Sequence, residues 1–118
     1  MKYDEYDLLW LFESEPEIFE DNGYDGNMCC CKSLNNFKIT LNFDRYEEWG
    51  WVHLSYLNNC VFAADFNEIT SLQKHEESLI ISVKGEPILK LEFKNQLAVE
   101  LISEKDKQWY KDIFSSYY

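Results

Sequence analysis

Between Phe37 and Asp44 the chain alternates without a break. Phe37, Ile39, Leu41 and Phe43 are apolar, and Lys38, Thr40, Asn42 and Asp44 between them are polar. A period of two puts successive side chains on opposite faces of an extended strand, so this segment has one dry face and one wet face. Such a strand cannot stand alone: it needs neighbours for its backbone and a second layer for its dry face. The same constraint spreads along the middle of the chain. An extended reading begins near Asn27. Trp49 to Leu57 is a long aromatic-rich candidate, and Asn58-Asn59 turns it into another, Cys60 to Phe66. Ser78 to Lys84 is followed by a Gly85-Glu86 turn. Pro87 opens the next strand, with Leu89, Leu91 and Phe93 inward, and Asn95-Gln96 reverses the chain into Leu97, Val99 and Leu101. Connections this short favour antiparallel neighbours.

At both ends the period changes. Asp4 can cap a helix in which Leu8, Leu11 and Phe12 share a face. Pro16 disfavours helix at the residue before it, so this element stops near Ser14. Ser14-Glu15-Pro16-Glu17 then reads as a fresh helix start, giving a short helix through Ile18 and Phe19 that ends at Asn22-Gly23. Near the C-terminus, Ser103 and Asp106 form a capping pair ahead of the stripe Trp109, Tyr110, Ile113, Phe114 and Tyr117. The expected fold class is α+β: an antiparallel β-sheet of about six strands flanked by an N-terminal and a C-terminal helix. With 118 residues, the chain is expected to form a single domain, 1–118.

Charge narrows the possible partners. Acids outnumber bases 22 to 11, for a formal net charge of −11. Free nucleic acid and anionic membrane both demand clustered cations, so neither is an expected direct partner. The apolar run Leu8 to Phe12 is far short of a membrane span. Residues 1–7 carry Asp4, Glu5 and Asp7 where a secretory signal wants cations, so the expected location is the cytoplasm. Cys29, Cys30 and Cys31 are consecutive, a spacing that suits neither a disulfide framework nor a zinc site, and they read with Cys60 as reduced thiols.

Catalytic signatures are missing from the motifs. His53 with a cysteine is a conceivable pair, but no local signature flanks it, and His75 lies in a polar stretch. Asp21-Asn22-Gly23-Tyr24-Asp25-Gly26 resembles the start of a calcium loop, yet Lys32 stands where the bidentate Glu is required. No Gly-rich phosphate loop exists. No catalytic residue, metal or cofactor is therefore expected, and the chain reads as a non-enzyme.

The acidity is uneven. Residues 1–25 hold nine acids and one base, so −8 of the −11 lies in that segment. Within it, Glu13, Glu15, Glu17, Glu20, Asp21 and Asp25 are candidate partner-binding residues. Asp44, Glu47, Glu48 and Trp49, on a loop expected to protrude between two strands, are the others. A one-sided acidic field speeds capture of a cationic protein, and aromatic anchors supply interface energy.

Two stretches, Asn36-Phe37-Lys38-Ile39-Thr40-Leu41-Asn42-Phe43-Asp44 and Phe66-Asn67-Glu68-Ile69-Thr70-Ser71-Leu72, taken with the acidic N-terminal helix, give the chain a family likeness. It resembles immunity proteins of bacterial toxin–immunity systems, particularly the contact-dependent growth inhibition type. The resemblance implies a small, non-catalytic protein that binds and blocks a cognate toxin, commonly a nuclease, in the cytoplasm of the producing cell. The alternative from the residues alone is a small cytoplasmic enzyme or ligand-binding domain, with a sheet pocket lined by Trp49, Trp51 and Tyr56.

Overall fold

The computed structural model describes residues 1–115. In chain order the elements are α1 (Glu5–Phe12), β1 (Glu17–Asp21), β2 (Tyr24–Leu34), β3 (Phe37–Asp44), β4 (Trp49–Tyr56), β5 (Asn59–Phe66), β6 (Ile69–His75), β7 (Ser78–Val83), β8 (Glu86–Glu92), β9 (Ala98–Leu101) and α2 (Glu104–Ser115). The class is α+β with a helix at each end, as the periodicity implies. The strand count is different. Among the described residues there are nine strands in two antiparallel sheets, β1-β2-β3-β4-β5 and β6-β7-β8-β9, in place of one sheet of about six.

Every strand pairs with its immediate predecessor or successor, because every connection within a sheet is short. Several turns are two-residue reversals with positive φ at both positions. Asn22-Gly23 has φ of 52° and 86°, Asn35-Asn36 has 53° and 69°, and Lys84-Gly85 has 53° and 79°. That is the turn whose twist matches the strands it joins. The Asn22-Gly23 signal is thus a hairpin turn and not a helix stop. The short helix expected from Ser14 through Phe19 does not form: Glu17 to Phe19 pair with Cys29 to Asn27 as β1. Partner-strand hydrogen bonds override the local capping pattern.

Alternation builds the core between the sheets. Met28, Cys30, Ile39, Leu41, Phe43, Val52 and Leu54 project from the first sheet onto Ile69, Leu72, Leu79, Ile81, Leu89 and Leu91 of the second. α1 closes one side with Leu8, Leu11 and Phe12, and the Phe12 ring meets Phe93 edge-on at 4.9 Å. Asp4 caps α1 by accepting from the Tyr6 N–H at 2.8 Å, and Glu13 ends it in a left-handed conformation at φ 57°. Lys2 lies alongside β6, its N–H donating to the Thr70 carbonyl and its carbonyl accepting from the Leu72 N–H.

α2 covers the far face of the second sheet. Ser103 caps it through the Asp106 N–H at 3.2 Å, and Tyr110 and Phe114 bury Ile80. Tyr117, the last residue of the expected stripe, lies outside the described residues. The layers are therefore first sheet, core, second sheet, helix. Neither helix lies over the outer face of the first sheet: α1 packs into the core and α2 against β8.

Candidate partner-binding surface

The β1–β2 hairpin and the β3–β4 loop meet at one end of the first sheet. Asn27 of β2 stands opposite Asp44 of β3, so the loop after Asp44 lies beside the strand that carries Tyr24 and Asp25. Asp44 is only 3% exposed. Its carboxylate accepts the Tyr24 hydroxyl at 2.6 Å and the N–H groups of Tyr46 and Glu47 at 3.0 and 2.9 Å. Burial alone would raise its pKa, but the Tyr24 hydroxyl and the two backbone donors outweigh it, and the carboxyl sits below the usual range. The same bond, followed by desolvation, pushes Tyr24 up to about 12. Gly26 makes this contact possible. A Cβ there would fall 2.6 Å from the Tyr24 hydroxyl and 2.7 Å from the Asp44 carboxylate. Asp44 is thus committed to holding its own loop.

Arg45, the chain's one arginine, is turned back onto the same acids. It contacts the Asp25 carboxylate at 3.0 Å and carbonyl at 2.9 Å, and Glu5 at 3.8 Å, while stacking over Tyr46. The Tyr46 hydroxyl donates to Asp25 at 2.8 Å. Glu13 lies 3.6 Å from Lys32, and Glu48 lies 2.7 Å from the Met1 amino nitrogen. Glu13, Asp25, Asp44 and Glu48 therefore have internal work.

The rest of the candidate set is free. Glu15, Glu17, Glu20, Asp21 and Glu47 are exposed and form no ion pair among the described residues, and Trp49 is 36% exposed. Glu17, Glu20 and Asp21 stand on β1, an edge strand exposed along its whole length, with Ile18 and Phe19 half exposed between them. Charge on an edge strand blocks pairing with a like-charged strand. The structure thus brings Asp25 of the hairpin beside Tyr46 of the loop, with Asp21 opposite Tyr24, while Glu17 and Glu20 continue the acidic strip along the edge strand.

The aromatic pocket expected from Trp49, Trp51 and Tyr56 does not assemble. Alternation along β4 puts Trp49 and Trp51 on the outer face, while Tyr56 packs with Phe37 at 4.7 Å on the inner one. Among the described residues no group of three or more His, Cys, Asp or Glu is placed to hold a metal ion. The cysteines are free thiols, with Cys29 and Cys31 outward, their sulfurs 4.0 Å apart, and Cys30 in the core. Desolvation first, then the neighbouring thiols, raises Cys29 to about 11 and Cys30 to about 12, the reverse of what an activated nucleophile needs. No helix among the described residues is long and apolar enough to cross a membrane.

One feature of the surface was hidden in the sequence. The outer face of the first sheet carries a straight cross-strand row, Glu17, Cys29, Asn42, Trp51 and Asp65, one residue from each strand. The next row is Cys31, Thr40, His53 and Ala63. The signal lay in what alternates with the core residues: thiols, small polar groups and aromatics, with few charges.

No protein-family model and no characterised protein matches the sequence. By shape, the chain is similar to a chain of the contact-dependent growth inhibition toxin–immunity protein complex from Klebsiella pneumoniae 342. The TM-score is 0.67, over 82% of this chain and 90% of that one, at 15% sequence identity. The two share a fold.

Proposed function

We propose that this chain is the immunity partner of a cognate toxin, a nuclease, which it neutralises without catalysis in the cytoplasm by setting an acidic surface against a basic one. The observation that carries the reading is the unpaired acidic edge, Glu15, Glu17, Glu20 and Asp21, on a fold shared with a chain of a toxin–immunity complex. Charge supports the inhibitor side of such a pair. A nuclease cleft binds a polyanion and is basic, whereas a net −11 surface repels that substrate and attracts the cleft. Glu47 and Trp49, on the loop and strand that follow Asp44, extend the same surface.

The test uses the cognate toxin domain, its nucleic-acid substrate and a salt series. Wild type should suppress cleavage stoichiometrically. Reversing Glu15, Glu17 and Glu20 to Lys should slow association and flatten its salt dependence, because rim charges act on capture. Trp49→Ala should weaken binding by about 2 kcal/mol if that ring is an anchor. Reversal variants that associate as fast as wild type at every salt concentration would eliminate the acidic-edge mechanism.

A further inference from the structure

The outer face of the first sheet offers a site for one particular chemical group. Trp51 and Asp65 are direct cross-strand partners on β4 and β5. Residues so placed have side-chain roots about 5 Å apart. His53 packs on the Trp51 indole at 4.3 Å between ring centres, which restricts the ring's rotamers before any partner arrives. Small neighbours surround the pair: Cys29 and Asn42 in the same row, Thr40 and Ala63 in the next. Among the described residues neither helix packs against β4 or β5 at this place.

Elsewhere the chain sets its own cations over three of its rings, the exposed Trp10 and Tyr46 and the buried Phe93. Lys74 lies 4.4 Å from the Trp10 ring centre, Arg45 5.1 Å from Tyr46 and Lys32 5.8 Å from Phe93. Over Trp49 and Trp51 no cation lies among the described residues. Glu17 and Asp65, the two ends of the Trp51 row, form no ion pair among them either. The cation of this face, Lys38, stands four residues along β3 from Asn42, about 13 Å away. A ring and a carboxylate side by side, both without a cation, match an arginine. Its guanidinium stacks on an indole while its N–H groups donate to a carboxylate. A second copy of this chain fits badly, because its face would bring acids to both ends of the same row.

We propose that the outer face of the first sheet docks the cationic partner, with a partner arginine seated on Trp51 against Asp65. This rests on the toxin-binding reading, and it moves the centre of the contact from the acidic edge to the open sheet face. The edge then steers, and the face holds.

The experiment measures association and dissociation rates of the cognate toxin domain with wild type, Trp51→Ala, Trp51→Phe and Asp65→Asn, each checked for unchanged thermal unfolding. Expected are a loss of about 30-fold in affinity for Trp51→Ala and about tenfold for Asp65→Asn, both in the dissociation rate, with Trp51→Phe between wild type and Trp51→Ala. The double variant should lose less than the product of the two, since ring and carboxylate hold one group. If all folded variants dissociate as wild type does, the face is not the docking site, while the toxin-binding reading stands. If wild type itself does not bind, that reading fails and this one with it. A dimer of the chain alone that Trp51→Ala abolishes would also overturn the assignment.

Discussion

The two sheets differ in what lies on their outer faces. In the second sheet β7 is buried on both sides from Ser78 to Ser82, with the core beneath it and α2 above it. In the first sheet β3 is buried along one side, while on the other Thr40 and Asn42 are partly open and only Asp44, at the strand's end, is buried. The sequences record the contrast. Ser78-Leu79-Ile80-Ile81-Ser82-Val83 is a near-continuous apolar run, whereas Phe37 to Asp44 alternates strictly. A covered face is spent on stability. A bare face on an equally well-packed sheet is rigid and available, which is what a recognition surface needs.

That contrast can be broken most severely at Ile80. Ile80→Ala should destabilise the protein by about 2–5 kcal/mol, because Tyr110 and Phe114 lose their seat. Thr40→Ala on the bare face should stay within about 0.5 kcal/mol. Urea titrations of the two variants check both figures, and equal losses would show that the bare face also carries structural weight.

A smaller effect tests the end of the bare sheet. Asp44→Ala orphans the Tyr24 hydroxyl and two backbone donors, for a loss of about 1–3 kcal/mol. The pH dependence has a defined sign. The folded pKa of Asp44 lies below its unfolded value near 3.8, so its contribution is complete above that value and lost as the pH falls through the folded pKa. The stability gap between wild type and Asp44→Asn should therefore be constant near neutrality and narrow below about pH 4. In the same variant, the Tyr24 phenol should ionise closer to its ordinary range than to about 12, read by ultraviolet difference spectra.

Thiol alkylation gives the mildest comparison. Cys60 is exposed on β5, Cys29 is half-buried with a raised pKa, and Cys30 lies in the core. At pH 8 Cys60 should be modified first and Cys30 last, as read by mass spectrometry. Early modification of Cys30 would mean that the two sheets part readily.

Much of this fold was legible because β3 and β8 keep period two with their apolar residues on one side, and because the short apolar run of β7 is bounded by the Gly85 turn. Other parts were not, for separable reasons. β1 follows Pro16 and a helix-start pattern, and only its pairing with β2 makes it a strand. β6 went unrecognised because a bulge between Ile69 and Ser71 breaks its alternation and Gln73, Lys74 and His75 read as loop. The β4–β5 turn is Leu57-Asn58, one residue before Asn58-Asn59, because Leu57 accepts a φ of 49° that leucine seldom adopts. The acidic surface could be read from composition, but which acids are free depends on where Arg45 and Lys32 end up. Asp65 gained meaning only once register set it beside Trp51.

The order of the strands also has a consequence in time. Each strand hydrogen-bonds to its neighbour in sequence, so pairing needs only the closure of short loops, which is fast. During synthesis, residues 17–66 can finish five strands while the dry face they share still lacks its cover from residues 69–101. The order expected of this topology is two meanders completed in turn and then pressed together, with Lys2 beside β6 joining the earliest residues to the later sheet. Until that docking, Leu41 and Phe43 face water, and the half-made chain is at its most prone to aggregate.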